Sequence, residues 1–174
     1  LSIRRQRQMC IRDRDGDTIK SNTVVAEIIG NSKVLLSSER TILNILMRMS
    51  GVATLTKRII DLAKEVNPKV KIAGTRKTLP GFRIFDKRAI EIAGGDTHRF
   101  RLDDCILIKD NHLKLIDLEL AIKRAKERAS FTKKIEVEVN RREEAIKAAQ
   151  LGADIIMLDN FKVEEIKKTV EELK

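Results

Sequence analysis

Short apolar runs alternate with amphipathic segments from residue 70 to the end of the chain. The runs are rich in β-branched residues, which predicts strands, and the segments between them carry apolar residues at intervals of three and four, which predicts helices. The predicted strands are Val70–Ala73, Cys105–Ile108, Ile135–Val139 and Asp154–Leu158. The predicted helices are Phe82–Ala93, Leu115–Ala129, a helix that Asn140 and Glu143 would cap and that runs through Gln150, and Val163–Leu173.

This βαβαβαβα order predicts an α/β fold with a parallel sheet. Strands that are separated by helices run parallel, and helices cover both faces of a parallel sheet. A doubly wound sheet and a (β/α) barrel both satisfy these constraints. Four βα units are half of the eight that close a complete barrel, so a barrel would be incomplete in this chain.

A different pattern precedes residue 70. Thr23–Ile29 is a β-branched run that ends at Gly30-Asn31, which predicts a strand followed by a turn. Two helical patterns follow, one from Ile42 to Met49 and one from Leu55 to Ala63. Ser50-Gly51 separates the two patterns, and we take this pair as a candidate domain boundary.

The composition favours a folded domain with an anionic partner. Apolar residues make up 42% of the 174 residues, and the formal net charge is +10. A basic balance of this size suits nucleic acid, a membrane surface, or a phosphorylated or carboxylated small molecule. Five Phe with no Tyr or Trp argue against a binder of single-stranded nucleic acid, because such proteins need exposed rings on which bases stack.

Several other classes are excluded. Two Cys and two His provide no spacing that is typical of a zinc site or of a disulfide scaffold. No apolar run approaches the roughly 20 residues of a transmembrane helix, and no apolar segment of a signal peptide follows the Arg-rich start. We therefore expect a soluble, cytoplasmic protein without a membrane partner.

The first 14 residues differ from the rest of the chain. They hold five Arg and one Asp, a net charge of +4, which leaves +6 for the remaining residues. They show neither helical nor strand periodicity, and they resemble translated sequencing-adapter read-through. We expect residues 1–14 to be a non-native leader, with a basic disordered arm as the alternative.

Ionisable side chains follow each of the four predicted strands after residue 70. In parallel α/β folds the active site forms at the carboxyl ends of the strands. The residues at these ends are Thr75-Arg76-Lys77, Lys109, Glu138 and Asp159, and His98-Arg99 lies in the connection between the first two strands. The cations suit carboxylates and phosphates, and the carboxylates suit ribose hydroxyls or Mg²⁺. A substrate with several anionic groups, a sugar and a metal would use all of them.

Seven motifs occur in the order and at the spacings of one enzyme family. Together they cover about residues 18 to 174. They resemble those of the quinolinate phosphoribosyltransferases, which are also called nicotinate-nucleotide pyrophosphorylases (carboxylating). The motifs are Glu39-Arg40-Thr41 with Leu43-Asn44, SGVAT from Ser50, GTRKTLPGFR from Gly74, GGDTHRFRLDD from Gly94, LIKDNHL from Leu107, EVEVN from Glu136 and GADIIMLDNF from Gly152.

The resemblance implies an activity and a fold. The activity converts quinolinate and phosphoribosyl pyrophosphate, with Mg²⁺, into nicotinate mononucleotide, pyrophosphate and carbon dioxide, a step of de novo NAD synthesis. The fold is an N-terminal α/β sandwich domain followed by a TIM-like barrel, with the active site at a homodimer interface. Residues 15–50 would be the tail of the sandwich domain, and residues 51–174 would be the first four βα units of a partial barrel.

The resemblance also implies a pocket for the two carboxylates of quinolinate. One of its cations, Arg40, would reach the site from the neighbouring subunit. Thr75 would lie near the pyridine ring. The residues that match the cationic positions of this pocket are Arg40, Arg76, His98, Arg99 and Lys109.

The remaining matches concern the phosphoribosyl donor. Lys77 would lie between quinolinate and the donor. Glu138 and Asp159 would hold the ribose hydroxyls and the Mg²⁺ environment. Lys77, Lys109, Glu138 and Asp159 are the expected catalytic residues.

Two departures from the family pattern lead to a further expectation. Most of the sandwich domain is absent, and the chain ends before the later barrel strands whose glycine-rich loops bind the donor's phosphate in this family. We expect a fragment with little activity by itself and an aggregation-prone sheet edge.

Two alternative functions remain at this stage. One is a paralogue from molybdenum transport loci with another substrate, against which the complete cationic set argues. The other is a basic nucleic-acid-binding module, against which the concentration of charge at strand ends argues. We therefore expect no nucleic-acid partner.

Overall fold

The structure is a computed structural model, and it describes the backbone of residues 8–174. These residues form an α/β fold with one parallel sheet, one antiparallel strand pair and six helices. None of these helices is both long enough and apolar enough to cross a membrane. The strands are β1 (Gln8–Ile11), β2 (Ala26–Ile29), β3 (Ile106–Ile108), β4 (Ile135–Val139) and β5 (Ile155–Leu158). The helices are α1 (Ser32–Val66), α2 (Arg83–Ile92), α3 (Asp110–Leu113), α4 (Leu118–Arg128), α5 (Arg142–Gln150) and α6 (Val163–Glu172).

The chain divides into two compact units, one that ends at Phe100 and one that begins at Arg101. In the first unit, β1 pairs antiparallel with β2. We expected no regular element in residues 1–14, which is wrong for Gln8–Ile11. The strand depends on its partner, Ala26–Ile29, and local periodicity does not reveal such a pairing. The part of the predicted leader before residue 8 lies outside the described residues.

Helix α1 is continuous through Ser50-Gly51, so the expectation of two separate helices there was wrong. Asn31 starts the helix, since its Oδ1 accepts hydrogen bonds from the backbone N–H of Lys33 at 3.0 Å and of Val34 at 3.4 Å. A glycine inside a helix costs only about 1 kcal/mol relative to alanine. That cost is too small to interrupt a 35-residue helix that packs against α2.

The predicted strand Val70–Ala73 is reduced to a single parallel bridge between Ala73 and Asp96. Two backbone hydrogen bonds form it, from Gly74 N to Asp96 O and from Asp96 N to Ile72 O, both 2.8 Å. His98 then takes up a left-handed backbone conformation with φ of 54°. This turn carries the second segment away, so the pairing stops after one residue.

The second unit contains the parallel sheet, in the order β3-β4-β5. The inward side chains of β4 are Ile135, Val137 and Val139, and all three are buried. They form the core with Ile122 of α4 and Ala145 of α5. The alternating side chains of β4 point to the opposite face of the sheet, and this face carries the polar residues of the strand.

The starts of two helices differ from the sequence-based expectation. Arg141 is the N-cap of α5 and makes no side-chain capping hydrogen bond, so the predicted cap by Asn140 and Glu143 was wrong. The helix predicted from Leu115 begins only at Leu118, because the Asp117 side chain accepts from the backbone N–H of Leu120 at 3.0 Å and caps it there.

Most other predicted elements are confirmed to within one residue. Strand β4 has the predicted bounds. The elements β3, β5, α2 and α6 are each shorter than predicted by one residue at one or both ends. Strand β2 begins three residues later than predicted, at Ala26. These elements depend on strong local periodicity, which single-sequence patterns capture well.

Removing the side chain of Ile122 should destabilise the second unit. Ile122 is 1% exposed, and truncation to alanine leaves a cavity that costs about 2–5 kcal/mol in free energy of unfolding. Urea denaturation of Ile122→Ala should show the loss as a lower midpoint. The matched control is Leu115→Ala, whose side chain is 89% exposed and which should change stability by less than about 0.5 kcal/mol. Equal losses in the two variants would contradict this placement of the core.

Candidate active site

The carboxyl end of the parallel sheet carries an ion pair. Lys109 directly follows β3, and Glu138 is the fourth residue of β4. The Lys109 Nζ atom donates to Glu138 Oε2 at 2.5 Å. The Glu138 side chain is only 11% exposed, against 41% for Lys109, so the carboxylate lies inside and the ammonium group covers it. The sequence-based expectation that these two side chains lie at one edge is confirmed.

The turn after β3 fixes the backbone of Lys109. The backbone N–H of Lys109 donates to His112 Nδ1 at 2.8 Å. The short helix α3 follows, and its first turn includes the backbone bond from His112 N to Lys109 O at 2.9 Å. These two bonds hold the start of the turn closed, so the lysine side chain leaves the strand end in a defined direction.

Asp159 follows β5, the next strand along the sheet. Its backbone N–H donates to Val139 O at 2.9 Å, so the parallel pairing with β4 extends to this residue. Its Oδ2 atom accepts from the side-chain amide of Asn160 at 2.7 Å. Asn160 itself has a left-handed backbone with φ of 59°, which is uncommon outside glycine but tolerated by Asn. The turn thus ends β5 and presents the Asp159 carboxylate, which is exposed.

The donor chemistry of Glu138 and Asp159 suits a magnesium ion. Both are carboxylates near the ends of neighbouring parallel strands, and Mg²⁺ prefers oxygen ligands. One oxygen of each carboxylate accepts a hydrogen bond from a protein group. Among the described residues, the other oxygen of each carboxylate accepts no hydrogen bond. The two carboxylates therefore fit the Mg²⁺ ion that we expected from the sequence.

In the first unit, the loop after the Ala73–Asp96 bridge carries Thr75, Arg76 and Lys77. Thr75 Oγ1 accepts from the backbone N–H of Lys77 at 3.1 Å and shapes the loop. The Nε atom of Arg76 is buried and has no hydrogen-bond partner among the described residues. A buried guanidinium nitrogen without a partner costs free energy, and a group that accepts a hydrogen bond from it would recover that cost.

The segment paired with this loop carries His98 and Arg99. The backbone N–H of His98 donates to Asp96 Oδ1 at 2.7 Å, and the positive φ of His98 is a strained conformation of the kind that occurs at functional sites. Arg99 is only 9% exposed. The bridge between Ala73 and Asp96 therefore brings Arg76 and Arg99 into one region of the first unit.

Arg40 lies on α1, and its side chain is exposed. It belongs to a different element from the loop and segment that hold the other cations of the first unit. Its expected contribution to a neighbouring subunit's site stays a prediction.

Sequence reasoning missed three charged residues in the first unit. Asp86 of α2 is buried and accepts a two-pronged hydrogen bond from Arg48 of α1, with Nε to Oδ1 and Nη2 to Oδ2 both at 2.8 Å. The backbone N–H of Leu79 also donates to Asp86 Oδ2, at 3.3 Å. The hydrogen bond from Arg48 holds the pKa of Asp86 below its ordinary value. The third residue is Lys87, which is 3% exposed.

A signal in the sequence could have found two of these residues. Ala89 is buried and Ile90 is half-buried in α2. Asp86 lies three residues before Ala89, and Lys87 lies three residues before Ile90, so each shares a face of the helix with an apolar residue. Charged residues inside an apolar stripe are buried only when they are paired. The apolar periodicity that predicts α2 does not assign its charged residues to either face.

The fold and these charges define a class: an α/β protein with cations and carboxylates at the carboxyl ends of parallel strands, where this class places its active sites. Two family models match the chain, and they are described as the C-terminal and N-terminal domains of quinolinate phosphoribosyl transferase. They match residues 52–174 and 7–50 respectively. The chain therefore belongs to the quinolinate phosphoribosyl transferase family, as its motifs predicted.

Curated relatives agree with this assignment. The chain is 55% identical over 162 residues to a probable nicotinate-nucleotide pyrophosphorylase [carboxylating] of Archaeoglobus fulgidus. The aligned region covers 92% of this chain and 62% of that protein. It is 41% identical over 151 residues to the human nicotinate-nucleotide pyrophosphorylase [carboxylating], and the aligned region covers 86% of this chain and 51% of that protein. The chain thus spans between half and two thirds of the length of these relatives.

Solved structures show the same fold. A nicotinate-nucleotide pyrophosphorylase from Ehrlichia chaffeensis matches with a TM-score of 0.86 and 36% identity, over 95% of this chain and 60% of that one. NadC from Streptococcus pyogenes matches with a TM-score of 0.88 and 38% identity, over 97% of this chain and 59% of that one. The matched part of these chains therefore has the architecture described above.

The pair formed by Arg48 and Asp86 should make stability depend on pH. Because the folded pKa of Asp86 is lowered, its stabilisation is complete above the ordinary Asp pKa of about 3.9 and is lost as the pH falls through the lower folded value. Asp86→Asn should therefore lower the free energy of unfolding at pH 7, and the difference from wild type should shrink below about pH 4.

Chemical denaturation across this pH range measures both effects. The matched control is Asp61→Asn, which removes an exposed carboxylate paired with Lys57 within α1 and should change stability little. A difference between Asp86→Asn and wild type that does not vary with pH would contradict the lowered pKa.

Proposed function

We propose that the protein that contains this chain transfers a phosphoribosyl group from phosphoribosyl pyrophosphate to quinolinate and releases pyrophosphate and carbon dioxide. One observation carries the proposal most directly. The Lys87 ammonium group binds the backbone carbonyls of Gly74 and Thr97, which directly precede Thr75-Arg76-Lys77 and His98-Arg99. The cation-bearing residues of these two segments lie in one unit and suit a substrate with several negative charges.

The reaction needs positive charge at the site, because both substrates and the pyrophosphate product are anionic. The pyridine nitrogen of quinolinate attacks the anomeric carbon of the donor, the bond from that carbon to the pyrophosphate oxygen breaks, and pyrophosphate leaves with the bonding electrons. The ring is then cationic and stabilises the electron pair that remains when the adjacent carboxylate departs as carbon dioxide. A proton takes the place of that carboxylate, and the product is nicotinate mononucleotide.

Each predicted residue has a role in this proposal. Cations bind and orient the two carboxylates, because guanidinium and ammonium groups make strong charge-assisted bonds to them. Lys77 interacts with both substrates, and Thr75 contacts the pyridine ring. The cations assigned to the carboxylates are Arg76, His98, Arg99 and Lys109, with Arg40 contributed by a neighbouring subunit.

Glu138 and Asp159 are assigned to the ribose hydroxyls. Glu138 also orients the Lys109 ammonium group through their ion pair at 2.5 Å. The same two carboxylates would hold Mg²⁺ through the oxygens that accept no hydrogen bond from the described residues. When bound, this ion would neutralise negative charge on the pyrophosphate group of the donor.

The proposal extends to the architecture. We propose that the parallel sheet belongs to a TIM-like barrel, that residues 15–50 belong to an N-terminal sandwich domain, and that the boundary lies at Ser50-Gly51. The two family models meet at this point, since one ends at residue 50 and the other begins at residue 52. A homodimer and a cytoplasmic location complete the proposal.

Calorimetry can test substrate recognition directly, with the protein expressed from the complete gene. Quinolinate should bind saturably, because two carboxylates face several cations. Nicotinate, which has one carboxylate, should bind at least about tenfold more weakly, since the loss of one charge-assisted contact costs about 1.5–3 kcal/mol. Absence of heat with quinolinate, or equal affinity for the two acids, would contradict the proposed substrate.

Kinetics can test the role of Arg76. Arg76→Met keeps a long side chain but removes the guanidinium group, so the value of kcat/KM for quinolinate should fall about 100-fold, as expected for a group that stabilises developing or bound charge. The control is Lys123→Met, which removes one positive charge from the exposed face of α4 and should change kcat/KM less than about twofold. Similar losses of kcat/KM in the two variants would contradict the role of Arg76, because they would show that activity depends only on the net charge of the protein.

A further inference from the structure

Lys87 has an unusual environment for a lysine. It lies on α2 with 3% of its surface exposed. Its Nζ atom donates to the backbone carbonyl oxygen of Gly74 at 2.7 Å and also to that of Thr97. The ammonium group therefore ends on two backbone segments that are 23 residues apart in the chain.

Both carbonyls precede cations of the proposed carboxylate pocket. Gly74 comes directly before Thr75-Arg76, and Thr97 comes directly before His98-Arg99. The two segments pair through their backbones only at Ala73 and Asp96. Lys87 joins them one residue further along, at the point where the backbone pairing has ended and the cation-bearing residues begin.

Helix α2 is itself held in place beside these loops. The residue before Lys87 is Asp86, which binds Arg48 of α1 and the backbone N–H of Leu79. These contacts fix the position and rotation of α2 from two sides. The backbone of Lys87 is therefore held in place, and its side chain can hold both loops at a fixed position relative to α2.

Packing by itself does not account for a lysine at this position. Burial lowers the pKa of Lys87, and the neighbouring charges of Arg83, Arg76 and Arg99 lower it further. A methionine would fill a similar volume without an ammonium group to desolvate, but the carbonyls of Gly74 and Thr97 would lose this donor. The hydrogen bonds to these two carbonyls, and not packing, offset the free-energy cost of burying the ammonium group.

We propose that Lys87 is a positioning residue that fastens together the two loops whose cations bind the substrate carboxylates. This proposal rests on the proposed function. Lys87 does not touch the substrate in this scheme. It acts by holding the carbonyls of Gly74 and Thr97, so that Arg76 and Arg99 keep the spacing that one dicarboxylate requires.

The test uses Lys87→Met in the protein expressed from the complete gene. The matched control is Arg88→Met, which removes one positive charge from the next position of the same helix, where the side chain is 56% exposed. Two measurements are made on each variant. The first is the rate of hydrogen exchange at the amides of Gly74 and Asp96, and the second is the KM for each of the two substrates.

In Lys87→Met, the backbone amide hydrogens of Gly74 and Asp96 should exchange at least tenfold faster than in wild type. The exchange rates of the β4 amides should stay within twofold of the wild-type rates. Its KM for quinolinate should rise at least tenfold, whereas its KM for phosphoribosyl pyrophosphate should change less than twofold. A general loss of stability would raise both KM values and speed exchange in β4 as well. Arg88→Met should match wild type within twofold in all measurements.

Unchanged exchange at Gly74 and Asp96, or an unchanged KM for quinolinate, would overturn the role of Lys87. Loss of the folded state in both Lys87→Met and a second variant, Lys87→Gln, would also overturn it, because Lys87 would then stabilise the unit as a whole. Failure of the wild-type protein to bind quinolinate would refute the proposed function and the dicarboxylate role with it. The exchange rates would still show in that case whether Lys87 holds the two loops.

Discussion

Parallel pairing of β3, β4 and β5 is the constraint on which the second unit depends. Strands that run in one direction end at one edge, and the side chains of each strand alternate between two faces. In β4 the residues Ile135, Val137 and Val139 supply the core, so Glu138 must leave on the other face. Lys109 reaches it because β3 ends beside β4. The ion pair between Lys109 and Glu138 follows from this register and from the turn that fixes the backbone of Lys109.

The first unit positions its charges in another way. Its cation-bearing loops share only one backbone bridge, so a regular sheet does not hold them. Helix α2 takes over this task with two adjacent buried charges, Asp86 and Lys87. Asp86 binds α1 through Arg48, and Lys87 binds the two loops. Both buried charges are tolerated because each has hydrogen-bond partners. Removing one of these partners would leave a buried charge unpaired and would destabilise the unit.

Much of the fold and of the candidate site could be predicted. The residues at the strand ends could be named because chain order alone brings the ends of parallel strands together. Lys109 and Glu138 confirm this reasoning. Asp86 and Lys87 could not be found in the same way, because charged residues on a helix are usually solvated and their burial depends on loops that are distant in sequence. The strand Gln8–Ile11 was missed for a similar reason, since it exists through its partner.

By itself, the sequence determined the α/β class, the order of most helices and strands, and the family, because periodicity and motifs are local properties of the chain. Tertiary structure alone decided that α1 runs unbroken through Gly51 and that the run at Val70 forms one bridge in place of a strand. It also decided that Lys87 is buried against two carbonyls. In each of these cases the outcome depends on residues that are remote in the chain, and local periodicity carries no information about them.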